Sequence, residues 1–461
     1  MRHRLSTFLS MLVYVFVFLL PLQTRWMLTQ GTLNNELWEY GSFSLYAIDI
    51  LFFLILTTWL ISHAQYKKTT NDRSIPHAPH SALIIVFMLL AVIGFFSLTW
   101  SLDSKLSGYA WLRLMEGLIL VGILQQSHIH TKKILWALLA AGVFQSIFAY
   151  IQFAMQEVPE TKWLGLAAQS PLTHGVSVIE TSQYRLLRSY GSFPHPNMLA
   201  GWLLITLFAG SALVMTSGSI KKRFIVTVGS LIITLGIFLT FSRSAWLALL
   251  FGLLIAGIAT SHTHYRARQW KWIGIILFLF LTLIASSSEI VFSRLASNAR
   301  LEQQSQETRK LYTTQALQLL HDDQWIFGVG LGTYTYAVYK KIDDTQPGWW
   351  YQPVHYVPLI ILIEIGIFGL LAYIILLITI GISLAQYTSH HAPYREYAEH
   401  AKRSMLFLPM TLNAALVIFL GSFDHYFWTL TSGILIFWLI IGLWFKEWKY
   451  IHHAHNKLDF E

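Results

Sequence analysis

Three short stretches put charged or titratable side chains where an apolar run meets polar sequence. The first reads Arg185-Leu-Leu-Arg188-Ser-Tyr-Gly191-Ser-Phe-Pro194-His-Pro196-Asn197 and enters an apolar run at Met198. Two prolines and a glycine predict a rigid turn, and Asn197 stands where it would cap the helix that follows. Arg185 and Arg188 read either as the basic flank of an ordinary helix entry or as binders of an anion. The second stretch, Phe241-Ser-Arg243-Ser-Ala-Trp-Leu247, joins two apolar runs with almost no loop. An arginine at such a boundary needs a partner or a water-filled cavity, unless it snorkels to lipid phosphates. The third, Gln352-Pro-Val-His355-Tyr356-Val-Pro358, leads into an apolar run that contains Glu364, Gly366 and Gly369. A neutral imidazole at His355 would be able to take a proton from a hydroxyl. It reads equally as a hydrogen-bonded histidine at an interface, and with 19 histidines in the chain the residue type alone decides nothing. Glu364, a carboxyl inside an apolar run, is a functional candidate by its position. The two glycines predict close helix packing.

Other chemistries find no support in the sequence. The chain has no cysteine, which excludes disulfides, thiolate metal sites and a cysteine nucleophile. No His-Glu-x-x-His pattern occurs and no carboxylate cluster suits a metal, so neither a metal nor another cofactor is expected. The glycine-rich Phe327-Gly328-Val-Gly330-Leu-Gly332-Thr-Tyr334 lacks the Gly-Lys-Ser/Thr of a phosphate loop and reads as a turn. The pairs His390–His391 and His452–His453 read as solvated. Arg113 and Glu116, three apart on one helix face, are expected to pair.

These residues need a scaffold, and composition says which kind. Only 12% of the 461 residues are charged, against about 25% in a soluble domain, and the mean hydropathy is +0.51. Runs of about 20 apolar residues span a bilayer as helices. Such runs fall near 5–22, 43–62, 81–99, 109–127, 134–155, 196–216, 224–241, 244–260, 272–289, 356–385, 405–422 and 428–445. The fold class is therefore an all-α integral membrane protein, one polytopic domain over 1–461 with about 12 transmembrane helices. The first run is read as a retained helix rather than a signal peptide, since no small-x-small site precedes Thr24 and Arg25. The run at 356–385 is long enough to be tilted or to project beyond the bilayer. Trp100, Trp136 and Trp444 sit near run ends, where interfacial rings belong.

Loop charge sets the orientation. With the N-terminus cytoplasmic, every inside segment is basic: Arg2 and Arg4; Lys67, Lys68 and Arg73; Lys132 and Lys133; Lys221, Lys222 and Arg223; Arg266, Arg268 and Lys271; Arg395, Lys402 and Arg403; and Lys446, Lys449 and Lys457. Both termini then lie inside. The net charge of +9 belongs to these loops, and no basic stripe with interleaved aromatics suggests nucleic acid. Two long connections remain on the outer side. One, 156–195, carries the basic motif. The other, 290–355, is a larger outer lobe in which Leu301, Thr308, Leu311, Gln315 and Leu319 fall at helical spacing.

Four segments in order give the chain a family likeness: Arg188-x-x-Gly191-x-Phe193-x-x-x-Asn197, Ser242-Arg243-x-x-x-Leu247, Gly328-Val-Gly330-Leu-Gly332, and His355 followed by Gly366 and Gly369. The chain resembles the O-antigen ligase and O-antigen polymerase superfamily over roughly 185–370, with the last segment departing at Tyr356, where an amide or hydroxyl residue is usual. The resemblance implies a membrane glycosyltransferase fold (GT-C-like) that moves a glycan from a polyprenyl-diphosphate carrier to an acceptor hydroxyl, without sugar nucleotides. The partners it implies are that lipid-linked glycan, a lipid or glycan acceptor and membrane lipids. It implies catalytic roles for Arg188 and Arg243, holding the diphosphate, and for His355, taking the acceptor's proton. Arg185, Asn197, Glu364 and Tyr356 are expected to bind substrate. The active site would face the periplasm or exterior from the cytoplasmic membrane.

A repeat-unit polymerase is the alternative within the superfamily. From another class, a secondary transporter or flippase would use Asp49, Arg113, Glu116 and Glu364 as midplane charges. A catalytically silent envelope scaffold would need none of these residues.

Overall fold

The computed structural model describes the chain except residues 1, 70–80, 182, 262, 264, 296–299, 322–323, 390–397 and 459–461. Arg73, Arg395, His390 and His391 lie outside the described residues. The helices are α1 (Arg2–Leu19), α2 (Ala47–Thr69), α3 (Ser81–Phe96), α4 (Ser104–Leu124), α5 (Thr131–Met155), α6 (Pro196–Thr216), α7 (Ile220–Leu239), α8 (Arg243–Thr260) and α9 (Arg266–Ser286). They continue as α10 (Ser288–Leu295), α11 (Arg300–Gln318), α12 (Gln324–Phe327), α13 (Tyr334–Lys341), α14 (Val357–Ser389), α15 (Ala398–Gly421), α16 (Tyr426–Thr429) and α17 (Thr431–Leu458).

Among the described residues, nine helices are long and apolar enough to cross a bilayer: α2, α4 to α9, α14 and α17. Three shorter apolar helices, His3–Leu19, Leu83–Thr99 and Met405–Gly421, fall on the other predicted runs. The chain is a multi-pass membrane protein. Its apolar surface says the same: Phe278 is 75% exposed, Phe224 69% and Met88 64%, on helices where only lipid would cover them.

The centre is α6, apolar on every side and buried along its whole span, as expected of a helix surrounded by others. It packs against α5, α7 and α15. Small residues allow the close approach. A Cβ on Gly142 of α5 would lie 2.2 Å from Thr206 Oγ1 of α6. In the α2–α4 layer, Arg113 Nη1 meets Glu116 Oε2 at 2.8 Å, the predicted pair, and also Asp49 Oδ1 at 2.7 Å. Three of the four charges that a transporter would keep for its cargo, Asp49, Arg113 and Glu116, are thus bound to one another.

Among the described residues, the strands fall in the connections before α2 and before α6. A strand β1 (Arg25–Thr29) pairs antiparallel with β4 (Phe43–Tyr46), and between them β2 (Thr32–Leu33) pairs with β3 (Glu36–Leu37). The second transmembrane helix therefore starts at Ala47, later than its apolar run suggests, because Phe43–Tyr46 is extended. In 156–195, β5 (Val178–Glu180) and β6 (Arg185–Leu187) form a hairpin. The lobe at 290–355 is helical, as expected. However, the inward face of α11 is Tyr312, Gln315 and Ala316, with Leu319 buried just beyond its end, while Leu311 is 41% exposed. The stripe read from the sequence was turned partly outward.

The largest departure is in α14. Its length comes neither from tilt nor from overhang alone, because the helix breaks at Ile365 (φ −126°, ψ 15°) and Gly366 (φ 70°, ψ −169°). A break at membrane depth leaves carbonyls without partners unless protein supplies donors. The glycine-rich loop does so: Val329 N donates to Ile363 O at 2.8 Å and Gly330 N to Glu364 O at 2.9 Å. That loop is thus a plug for a broken helix. Gly366 is required by its backbone conformation as well as by the expected close packing, here on α12. A Cβ there would lie 2.0 Å from Ile326 O, at a positive φ. Gly366→Ala is predicted to cost about 1–3 kcal/mol from the backbone conformation alone, and more from the clash. Thermal unfolding of the purified variant checks this. A stability equal to the parent's would contradict the assigned role.

Candidate active site

The turn that holds Arg188 is built from α5. Gln152 Oε1 accepts from Tyr190 N (3.1 Å) and Gly191 N (2.8 Å), and its amide donates to Gly191 O (2.8 Å). One helical face further along, Gln145 Oε1 accepts from Ser192 N (2.9 Å) and its amide donates to Ser192 Oγ (2.8 Å). Gly191 turns at φ 58°. Two buried glutamines thus satisfy backbone groups that no sheet or helix reaches. Gln152→Leu is predicted to strand up to three of them, at about 1–3 kcal/mol each, lowering both thermal stability and any activity that uses Arg188. A variant that unfolds like the parent would refute the clamp.

Arg188 is 4% exposed. Its Nε donates to Thr240 O at 2.6 Å and its Nη2 to Asn197 Oδ1 at 2.8 Å. Asn197 is therefore not the helix cap. His195 is, with Nδ1 accepting from Asn197 N at 3.1 Å, and the helix starts at Pro196 because proline is preorganised for the first helical turn. Freed from capping, Asn197 donates through Nδ2 to Asp424 Oδ2 at 3.0 Å. This links the basic motif to the turn after α15.

Arg243 opens α8 after Phe241, which adopts φ 47°. Its Nη1 donates to Arg294 O at 3.4 Å, and Arg294 Nε donates to Phe241 O at 3.2 Å, so the two arginines cross each other's backbones. Arg309 of α11 completes the group. Arg188, Arg243, Arg294 and Arg309 all line one cleft of about 1190 Å³, and Asp424 in the same cleft acts on Arg188 and Arg309. Burial pushes Arg188 down to about 10, and the nearby Arg243 and Arg309 push the same way. Burial, then Arg188, Arg243 and Arg309, lower Arg294 further. A guanidinium keeps its proton in proteins, so these crowded, buried positive charges favour an anion in the cleft.

His355 stands over the same cleft. Its ring lies parallel to that of Tyr312, 6.1 Å between centroids, and edge-on to that of His425 at 5.1 Å. Burial lowers its pKa against the pull of Asp424, and Arg309 lowers it further, so the imidazole is neutral at neutral pH. Burial likewise pushes His425 down to about 4. Burial would raise Asp424, but His425, His355 and His195, with the Asn197 amide, outweigh it and keep the carboxyl below its ordinary range.

His355, Asp424 and His425 place one ligand atom each within 4.8 Å of one another. Two histidines and a carboxylate are a donor set zinc accepts, although neither a His-Glu-x-x-His pattern nor a carboxylate cluster announces it. The surrounding guanidinium groups oppose a cation there.

Arg188, Arg243, His355, Asn197 and Arg185 are thus brought to one cleft, although Arg185 is held at its rim by Glu180 Oε1 (2.6 Å). Glu364 and Tyr356 are not in it. Tyr356 is 44% exposed and lines neither the cleft nor the smaller pocket beside it. Glu364 lines that smaller pocket, where Oε2 accepts from Trp428 Nε1 at 2.8 Å. Sequence reasoning missed Asp424, His425, Arg294, Arg309 and Tyr312. The signal for the first two was charge between two apolar runs, in Gly421-Ser-Phe-Asp424-His425-Tyr426.

Residues 228–374 match the family model described as O-Antigen ligase. The match covers Arg243, Arg294, Arg309 and His355, whereas Arg188, Asn197 and Asp424 reach the cleft from outside it. No curated protein matches the chain.

Proposed function

We propose that the chain, whose residues 228–374 match the O-Antigen ligase family model, works as the ligase- and polymerase-type enzymes of polysaccharide assembly do and transfers a glycan from a polyprenyl-diphosphate carrier to an acceptor hydroxyl. The observation that supports this most is the ring of four arginines around a cleft that also holds a neutral, half-buried histidine. Guanidinium groups grip phosphate bidentately and remain charged at any working pH.

In the reaction, the acceptor oxygen attacks the anomeric carbon of the donor glycan. The bond from that carbon to the diphosphate oxygen breaks, and its electron pair leaves with the diphosphate. Negative charge therefore grows on the leaving group as the transition state forms, and preorganised positive charge lowers the barrier most where charge develops. Arg188, Arg243, Arg294 and Arg309 supply it. His355 takes the proton of the acceptor hydroxyl, and Asp424 offsets the imidazolium that results. The guanidinium groups take the part that a phosphate-bound cation plays elsewhere. On this reading both termini lie in the cytoplasm, which the basic loops support, and the cleft opens at the outer face of the cytoplasmic membrane. All twelve apolar helices then cross the bilayer.

The test is incubation of purified protein with a polyprenyl-diphosphate oligosaccharide and a panel of acceptors, followed by mass spectrometry of the products. One addition to a lipid or protein acceptor identifies a ligase. A ladder of lengthening carrier-linked glycan identifies a polymerase. No product from folded protein with any acceptor defeats the reading.

A further inference from the structure

We infer that the pocket beside the cleft, between α4, the start of α13 and α17, binds a single sugar ring of the substrate glycan and so selects which glycan is used. This rests on the transfer reading above and names a subsite of it. The pocket is about 110 Å³, an order of magnitude smaller than the cleft, which limits it to one ring rather than an oligosaccharide. It opens from the cleft itself, because Arg25, Glu39, Tyr40 and Tyr46 line both spaces. The Tyr40 ring stands 6.1 Å from that of His425, which stands 5.1 Å from that of His355. A ring lodged there lies next to the place where the glycosidic bond changes hands.

The lining has the two properties a sugar demands. Tyr109, Trp428 and Trp438 provide aromatic walls for the apolar C–H face of a pyranose. Buried polar groups provide for its rim. Arg113 is 6% exposed, and its terminal nitrogens are engaged by Asp49, Glu116, Ser44 O and the Tyr109 hydroxyl. Its Nε–H has no hydrogen-bond partner. A buried donor in that state calls for an oxygen, and a ring or hydroxyl oxygen of a sugar supplies one. Glu364, 2% exposed, accepts from Trp428 Nε1 and from the backbone of Tyr334 and Gly332. Among the described residues it has no ion-pair partner, so lone pairs remain for sugar hydroxyls. A prenyl or acyl chain would bury these polar groups without pairing them.

Ala110 lines this pocket and not the cleft, so Ala110→Leu fills it while leaving the arginines in place. Saturation-transfer NMR with a panel of methyl glycosides is measured on purified parent and variant, together with KM for donor and acceptor. The expected result is a saturation signal from at least one methyl glycoside that Ala110→Leu removes, and a tenfold or greater rise in KM for one of the two glycan substrates. A rise for the acceptor assigns the ring to the acceptor, and a rise for the donor assigns it to the donor. Glu364→Gln keeps the shape and the bond from Trp428, and is expected to weaken the same methyl glycoside. Should Ala110→Leu not fold, this variant decides the matter. Unchanged binding and unchanged KM values in folded, active variants overturn the pocket and leave the transfer reading intact. A saturation signal that depends on the pocket, in protein that transfers nothing, keeps the pocket and removes the transfer reading.

Discussion

Replacing His355 with alanine is expected to lower kcat by about 10²–10⁴-fold, the usual worth of a positioned general base, while the protein inserts and unfolds like its parent. His355 is half-buried at the end of the lobe and packs by stacking on Tyr312, so its loss removes a reacting group without opening the core. His355→Gln fills the same space and is expected to fall equally, which separates proton transfer from packing. The pH dependence has a definite sign. Burial lowers the pKa of His355 below 6.5, and the neutral form is the one that accepts a proton. Activity is therefore present through neutral pH and falls on the acid side only as pH drops through that lowered value. An acid limb of kcat/KM above 6.5, or a His355→Ala variant with parental kcat, would contradict the role.

The second large effect belongs to Arg188. Arg188→Ala is expected to cost about 10²–10³-fold in kcat, the scale on which single preorganised electrostatic groups act. Arg188→Lys should recover little of it. The guanidinium seats itself through two different nitrogens, Nε on Thr240 O and Nη2 on Asn197 Oδ1, and a lysine ammonium cannot reproduce that fork. Asn197 would then lose its donor, and Asp424 its fixed distance from the positive group. Because charge builds on the diphosphate as it leaves, the loss should appear in kcat more than in KM. Steady-state kinetics on the two variants decide it. A lysine variant close to the parent, or a change confined to KM, would mean that Arg188 serves only as a diffuse positive charge.

How much of this was legible depended on the length scale of the signal. A helix in a bilayer needs a long apolar run, so the scaffold was written plainly, and helices stand at all the predicted runs. The strands Arg25–Thr29 and Phe43–Tyr46 were not, since segments of four or five residues beside an apolar run look like its flank. The break at Ile365–Gly366 was hidden inside an unbroken apolar run. Only the donors from Val329 and Gly330, over thirty residues earlier, reveal it. The arginines at 188 and 243 and the histidine at 355 stood out because they sit at boundaries. Arg294 and Arg309 did not, since a helix on a polar lobe carries many charges and the sequence does not tell which turn inward. Gln145 and Gln152 lie in the second half of α5, where nothing local announces the turn they hold. Asp424 and His425 were overlooked because the short gap between two apolar runs read as a loop and no more. Glu364 was found for its oddity, but its pocket is built by α4, α13 and α17, which only the fold brings together.

The central claim is that the diphosphate leaves with the lipid, and the fate of the carrier tests it most directly. Purified protein is supplied with a polyprenyl-diphosphate oligosaccharide and an acceptor, and the lipid product is quantified by mass spectrometry alongside the glycosylated acceptor. The account predicts polyprenyl diphosphate released in equal amount to glycan transferred, with both abolished together in His355→Ala and Arg188→Ala. Glycan transfer without release of polyprenyl diphosphate, or release without transfer and untouched by either substitution, would contradict it.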